Sequence, residues 1–193
     1  AVSTREDAAD TLAAEGIVTR PHPLADTALE VLVGAPAIAG SRAFAEGLVE
    51  LQDAASQAVV AGLGDINTKR VLDYCAGGGG KSLAMSALGG DVTAFDINPD
   101  RMQDIPPRAT RAGAKVTVTQ KPSGTFDLVF VDAPCSGSGA WRRQPEAKWR
   151  LTPERLQALN DVQDEVLATA ARFVTPKGRL AYATCSLFGV ENR

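Results

Sequence analysis

The sequence predicts an α/β fold, a parallel sheet with helices on both faces, and three observations carry that prediction. From Arg70 onward, short runs of β-formers alternate with segments of helical character, the pattern of strands joined by crossover helices. A glycine-rich turn, Asp73-Tyr74-Cys75-Ala76-Gly77-Gly78-Gly79-Gly80-Lys81, joins the first of these strands to the first helix. Two later strands, Leu128-Val129-Phe130-Val131 and Leu180-Ala181-Tyr182, each run into a polar motif with a cysteine: Asp132-Ala133-Pro134-Cys135-Ser136-Gly137 and Ala183-Thr184-Cys185-Ser186. In an open α/β sheet, ligands bind beyond the carboxyl ends of the strands. Two thiols at two such ends can therefore face one substrate.

The elements follow in chain order. Ser3 and Glu6 have the spacing of a capping box, which predicts a helix over Thr4–Glu15. Residues 16–48 are broken by Pro21, Pro23, Gly34, Pro36, Gly40 and Gly47, a density that favours short strands and turns. Asp53 caps a helix through Ala61, ended by Gly62 and Gly64. A domain boundary falls there, dividing a small N-terminal unit (1–62) from the α/β domain (63–193). Within that domain we expect strands at Arg70–Asp73, Asp91–Asp96, Lys115–Thr119, Phe126–Val131 and Arg179–Ala183. The helices between them are Lys81–Leu88, a broken one over Pro99–Arg111 interrupted at Pro106-Pro107, and a long one over Pro153–Arg172.

With 45% hydrophobic and 22% charged residues, the composition is that of a globular protein. No apolar run approaches the roughly 20 residues that span a bilayer, and the first residues do not resemble a signal peptide. Three cysteines without close pairing argue against a disulfide framework and for a reducing compartment. A single His22 and no CxxC give no zinc site. The expectation is a cytoplasmic, monomeric protein without metal or membrane. A net charge of −3 does not advertise a nucleic-acid binder. Trp141-Arg142-Arg143 and Lys148-Trp149-Arg150 are nevertheless basic and aromatic, directly after the Cys135 motif. Cations there can hold phosphates while an indole stacks on a base.

A strand, a glycine turn and a helix make a nucleotide cradle, since glycines admit the ligand to the backbone and the helix start offers free N–H groups. The dinucleotide fingerprint fails, because Ser82 or Leu83 stands where its third glycine belongs. A Walker A loop fails as well, with Cys75 at its first glycine. Asp73 before the turn and Asp96 closing the next strand instead fit an adenosyl ligand, with Asp96 accepting from the ribose hydroxyls. The candidate cofactor residues are Cys75, Ala76, Gly77, Gly78, Gly79, Gly80, Lys81, Asp96 and Asp132.

Cysteine is ordinarily a buried residue, and the Cys75 side chain takes that reading. Cys135 and Cys185 lie in polar loops, poor places for packing. The chemistry that wants a thiol there is methyl transfer to C5 of a pyrimidine, a carbon too weakly nucleophilic by itself. A thiolate adding to C6 makes an enamine whose C5 attacks a methyl sulfonium; a base then takes the C5 proton and the thiol leaves. The thiol must be activated by nearby positive charge or N–H groups. Asp132 is placed to hydrogen-bond the ring at N3 or its amine.

These motifs, from Asp73-Tyr74-Cys75-Ala76 through Gly79-Gly80-Lys81, Asp96, Asp132 to Gly139 and Thr184-Cys185-Ser186, resemble the Sun (Fmu) family of RNA cytosine-C5 methyltransferases, its bacterial rRNA branch in particular. Residues 47–57 also resemble the segment leading into that family's catalytic domain. The resemblance implies a Rossmann-like class I methyltransferase sheet using S-adenosyl-L-methionine, with RNA as partner, rRNA ahead of tRNA. It implies Cys185 as the nucleophile on C6, Cys135 as the thiol aiding proton removal or release, Asp132 at the cytosine and Lys81 ordering the loops. It assigns residues 1–62 to an accessory, RNA-engaging domain.

Three departures stand out. Gly78 replaces the family's usual proline. Val118-Thr119-Gln120-Lys121-Pro122 lacks the acid that contacts adenine. The chain stops at Arg193 where the family continues with a helix and strands, which predicts a C-terminally incomplete domain. The rival readings are a DNA cytosine-C5 methyltransferase, which leaves Cys185 unexplained, a methyltransferase acting on small molecules or proteins, and a non-catalytic RNA-binding or assembly factor on the same fold.

Overall fold

The computed structural model describes residues 4–192. Helix α1 spans Arg5–Ala13; its capping box is Thr4 with Asp7, each side chain accepting the other's backbone N–H. This corrects the expected Ser3–Glu6 pair, whose Ser3 lies outside the described residues. The same spacing occurs one residue apart, and Asp serves the third position as well as Glu. Strands β1 (Val18–Pro21) and β2 (Leu29–Val33) form an antiparallel hairpin. A 3₁₀ turn at Ala35–Gly40 and a short α2, Arg42–Ala45, complete the unit. Leu12, Ile17, Ile38 and Ala43 are its core.

Helix α3, Ala54–Ala61, starts where Asp53 accepts from the Ala55 N–H. Its Val60 packs with Leu63, Ile66, Val71, Met85 and Phe130 beneath the large sheet. Val49 packs with the N-terminal cluster, whereas α3 buries Val60 against the large sheet.

The remaining elements are β3 (Arg70–Asp73), α4 (Gly80–Ala87), β4 (Asp91–Ala94), α5 (Ile105–Arg111), β5 (Val116–Val118), β6 (Phe126–Asp132), α6 (Glu146–Trp149), α7 (Pro153–Ala170) and β7 (Val174–Ala183). Five strands form one sheet in the order β5-β4-β3-β6-β7, every neighbouring pair parallel. Alternate residues face opposite sides. Val71, Val92, Leu128 and Phe130 meet α3 and α4, whereas Leu72, Val129 and Val131 meet α7 through Val166 and Ala170.

Two expectations change. Pro106-Pro107 do not interrupt a helix but sit in the first turn of α5, after a 3₁₀ turn at Pro99–Met102. First-turn residues have no intrahelical partner for an N–H, so proline costs nothing there. Strand β7 begins at Val174, five residues before the expected start. Pro176 hides the early part, yet an edge strand tolerates proline, and the pairing with β6 is irregular between Phe126 and Leu128.

The N-terminal unit is seated on the end of α5. Gly47 has φ +74°, and a Cβ there would lie 1.9 Å from the Arg111 carbonyl oxygen. The Arg111 guanidinium stacks 3.9 Å from the Phe44 ring centroid, and Glu50 pairs with Arg111 at 2.6 Å and Arg108 at 3.4 Å. Gly47→Ala should therefore destabilise by more than the ~1–2 kcal/mol of a left-handed L residue, because backbone must also move. Urea unfolding checks this, and a loss under about 0.5 kcal/mol, typical of a neutral surface change, would contradict the seating.

Candidate active site

The carboxyl ends of β3, β4, β6 and β7 open into one cleft of about 750 Å³. Its floor is the β3–α4 turn. The Ala76 N–H donates to Phe95 O at 2.9 Å and the Gly77 N–H to Asp96 Oδ2 at 2.9 Å, tying the turn to the end of β4. Asp96 is buried and also accepts from the Asn98 N–H (3.0 Å) and Arg101 (3.1 Å). Asp73 is 1% exposed; its Oδ2 accepts from the Ser82 hydroxyl at 2.6 Å, while Oδ1 has no partner among the described residues. Burial pushes its carboxyl up to about 7, with Asp132 and Asp96 adding to the rise against Ser82 and Lys81.

Of the predicted cofactor residues, Cys75, Ala76, Gly77, Gly78, Gly80, Lys81, Asp96 and Asp132 line this cleft together. Gly79 does not. It has φ +79° and turns toward α5, where a Cβ would lie 2.6 Å from Ile105 Cγ1; packing of turn against helix requires it. The Cys75 thiol is pushed up to about 12 by burial and then by Asp73, Asp96 and Asp132, which suits a lining residue rather than a nucleophile.

Cys135 and Cys185 meet at the cleft wall, their sulfurs 3.3 Å apart. Either sulfur can donate in this contact, and Cys135 fits that role because Cys185 is the more exposed and better supports an anion. The Cys185 thiol is brought down to about 6, first by that hydrogen bond and further by its own N–H and Lys81, against burial and the Asp132 charge. Cys135 is pushed far above the thiol range by the same bond and by burial. Lys81 donates to Asp132 Oδ2 at 2.7 Å, so the two sit as a pair beside the thiols.

Behind the sulfurs lies a buried group that the sequence reading missed. Glu191, in a 3₁₀ turn after Cys185, accepts from the Ser136 N–H (2.8 Å), the Ser136 and Ser186 hydroxyls and the Gln163 amide (3.0 Å). Burial pushes its carboxyl up, but these bonds together hold it below the usual range. Also missed were Gln52 and Ser56, Arg101 and Arg108, and a face of α7 made of Val162, Glu165, Val166 and Thr169. The α7 spacing of three and four residues was a usable signal; Glu191 and Gln163 belong to no pattern.

The basic segment adjoins the thiols. Trp141 packs edge-on against Phe188, ring centroids 5.7 Å apart, and Arg143 pairs with Asp53 at the start of α3. Trp149 is 81% exposed with the Lys148 ammonium 5.6 Å from its ring centroid, and Leu187 beside Cys185 is equally open.

A family profile described as 16S rRNA methyltransferase RsmB/F matches residues 61–193. The chain belongs to that family. The resemblance to the Sun (Fmu) enzymes is borne out on this basis. The probable ribosomal RNA small subunit methyltransferase B of Bacillus subtilis (strain 168) is 35% identical over 201 residues, covering 97% of this chain and 44% of its own. The ribosomal RNA small subunit methyltransferase B of Salmonella arizonae is 36% identical over 188 residues, covering 92% and 44%. The chain thus spans less than half the length of these curated relatives. Among solved structures, PH0851 superposes with a TM-score of 0.88 at 32% identity over 96% of this chain and 45% of that one. A methyltransferase homolog protein from Pyrococcus horikoshii gives 0.84 at 25% identity over 98% and 63%. The five-stranded parallel sheet is a Rossmann-like class I methyltransferase sheet. No described helix is long and apolar enough to cross a membrane.

The thiol geometry makes a testable pH statement. Iodoacetamide alkylation of Cys185, followed by peptide mass spectrometry, rises with pH through a midpoint of about 6 and levels off above it, because the thiolate reacts. Cys135→Ala removes the bond that most favours the anion, so the midpoint moves up toward the ordinary ~8.5. A midpoint that stays near its wild-type value in Cys135→Ala would contradict the pairing.

Proposed function

We propose that this chain carries the catalytic part of an enzyme that methylates C5 of a cytosine in RNA, ribosomal RNA in particular, through a covalent cysteine–C6 adduct. The observation that carries this reading is the pair of thiols in contact at the edge of a cleft, one lowered and one raised in acidity. A family described by 16S rRNA methylation, and relatives named for the small-subunit rRNA, support the substrate class.

The methyl donor is S-adenosyl-L-methionine, and the residues present fit it. The unpartnered buried oxygen of Asp73 suits the cationic amino group of the methionyl part. Asp96 at the end of β4 suits the ribose hydroxyls, and exposed Ile97 offers an apolar surface to the adenine. When bound, the donor supplies an electrophilic methyl group on a sulfonium. Everything else falls to the protein. Cys185, ionised near neutral pH, adds to C6 and leaves C5 electron-rich. Lys81 neutralises one Asp132 oxygen, and the other accepts from the cytosine amine to fix the ring. Once Cys185 is bonded to carbon, its charge no longer holds the Cys135 proton tight. Cys135 then returns toward ordinary acidity, gives its own proton to solvent and, as the thiolate, takes the C5 proton, while Cys185 leaves as a thiolate by elimination. The basic segment 141–150 holds the RNA, Trp149 stacking on a base and its arginines on phosphates. The unit built from residues 5–49 is an accessory surface for the same RNA.

The test is transfer of label from tritiated-methyl S-adenosylmethionine to 16S rRNA, with nucleosides separated after digestion. Label appears in 5-methylcytidine and is lost in Cys185→Ala. Label in another nucleoside, or undiminished label in Cys185→Ala, would refute the reading.

A further inference from the structure

Glu191 is 1% exposed, and among the described residues its carboxylate is met by neutral donors rather than a cation. Oε1 accepts the Ser136 N–H and the Gln163 amide; Oε2 accepts the Ser136 and Ser186 hydroxyls. A carboxylate that deep is retained only where such bonds replace water. The placement of the donors is informative. Ser136 is the immediate neighbour of Cys135, and Ser186 the immediate neighbour of Cys185. The Glu191 backbone carbonyl accepts from the Tyr182 hydroxyl at 2.9 Å, anchoring the turn to β7. Gln163 donates to Pro134 O at 2.9 Å as well, extending the same hub to the residue before Cys135.

We propose that Glu191 is a positioning residue that locks the Cys135 loop to the Cys185 loop and thereby sets the distance between the two thiols. The hydroxyls of Ser136 and Ser186 lie 3.2 Å apart, a contact they keep because both donate to one carboxylate oxygen. Other ties reach the Cys185 loop from beyond the Gly137 turn, where the Ser138 hydroxyl lies 3.1 Å from that of Ser186. The Gly139 N–H reaches Cys185 O at 2.9 Å and the Leu187 N–H reaches Ser138 Oγ at 2.7 Å. Those pin Ser138 and Gly139 to the Cys185 loop, whereas Glu191 grips Ser136, next to Cys135, together with Ser186, next to Cys185. In its importance for catalysis the proposal rests on the function given above; in its geometry it does not.

The test reads the geometry directly and needs neither RNA nor turnover. Diamide accepts two hydrogens and becomes the hydrazine as two thiols close to an S–S bond, so the rate of Cys135–Cys185 disulfide formation, assigned by peptide mass spectrometry, reports how closely the sulfurs are held. The wild-type protein should cross-link rapidly. Glu191→Gln should stay within about threefold of it, because the amide oxygen still accepts two N–H groups and its NH₂ donates to both hydroxyls. Glu191→Leu should be at least about tenfold slower, while S-adenosylmethionine affinity, set at the other end of the cleft, is retained and certifies the fold. A folded Glu191→Leu that cross-links at the wild-type rate would overturn the proposal. Where Glu191→Leu does not fold, Ser136→Ala/Ser186→Ala decides in its place: tenfold slowing supports the lock and a wild-type rate overturns it. Slowing by the leucine variant in a protein that methylates no cytosine would keep the lock and remove the catalytic reading.

Discussion

The parallel register of β6 on β7 is the constraint on which the site depends. Val131 lies opposite Tyr182 and Asp132 opposite Ala183, and the Ala133 N–H donates to Ala183 O at 2.9 Å. Both strands therefore end at the same height, and the two cysteine loops leave the sheet side by side. A slip of one residue would displace one loop by roughly 3.3 Å and turn its alternate side chains to the other face. What forbids the slip is burial: Leu128, Val129, Phe130 and Val131 are all inside, packed from both faces, so β6 cannot shift without exposing core. The chemistry at the loop tips is thus held by hydrophobic contacts well below them.

Charge is sorted in a way the net value conceals. Asp73, Asp96, Asp132 and Glu165 gather in the cleft with Lys81, Arg101 and Arg108, whereas Arg142, Arg143, Lys148 and Arg150 lie outside on one segment. Carboxylates at the cleft floor favour a cationic group, and a basic exterior segment favours a polyanion. A protein of net charge −3 can serve both because the two fields lie on different surfaces. The unusual acidities follow from the same crowding. Asp73 rises because it is buried beside other acids, and Cys185 falls because its neighbour donates a hydrogen bond to it.

Much of this was legible in the sequence. The strands from Arg70 to Val131 announce themselves by runs of buried β-formers, and the turn from Asp73 to Lys81 by its glycines. Both cysteine motifs could be placed at strand ends, since polar residues follow apolar ones there. Other features were legible only in part. The start of β7 was hidden by Pro176, because local propensity does not reveal that a strand lies at an edge. The prolines of α5 read as a break, because their position relative to a helix start depends on where the preceding turn ends. Gly79 read as a ligand contact, although its left-handed backbone serves Ile105. Glu191 and Gln163 were not legible at all. A buried carboxylate satisfied by serines has no periodicity, and two of its partners, Gln163 and Ser136, lie 28 and 55 residues away.

In the proposed reaction the two thiols in contact divide the work, Cys185 making the bond to the base and Cys135 enabling its release. The most direct measurement is a denaturing gel of each variant after incubation with natural, unmodified 16S rRNA and S-adenosylmethionine. Cys135→Ala should accumulate a covalent protein–RNA complex that survives denaturation, because the C5 proton stays on the methylated ring. Cys185→Ala should form none. A complex retained by Cys185→Ala, or a Cys135→Ala protein that turns over normally without one, would contradict the division of roles.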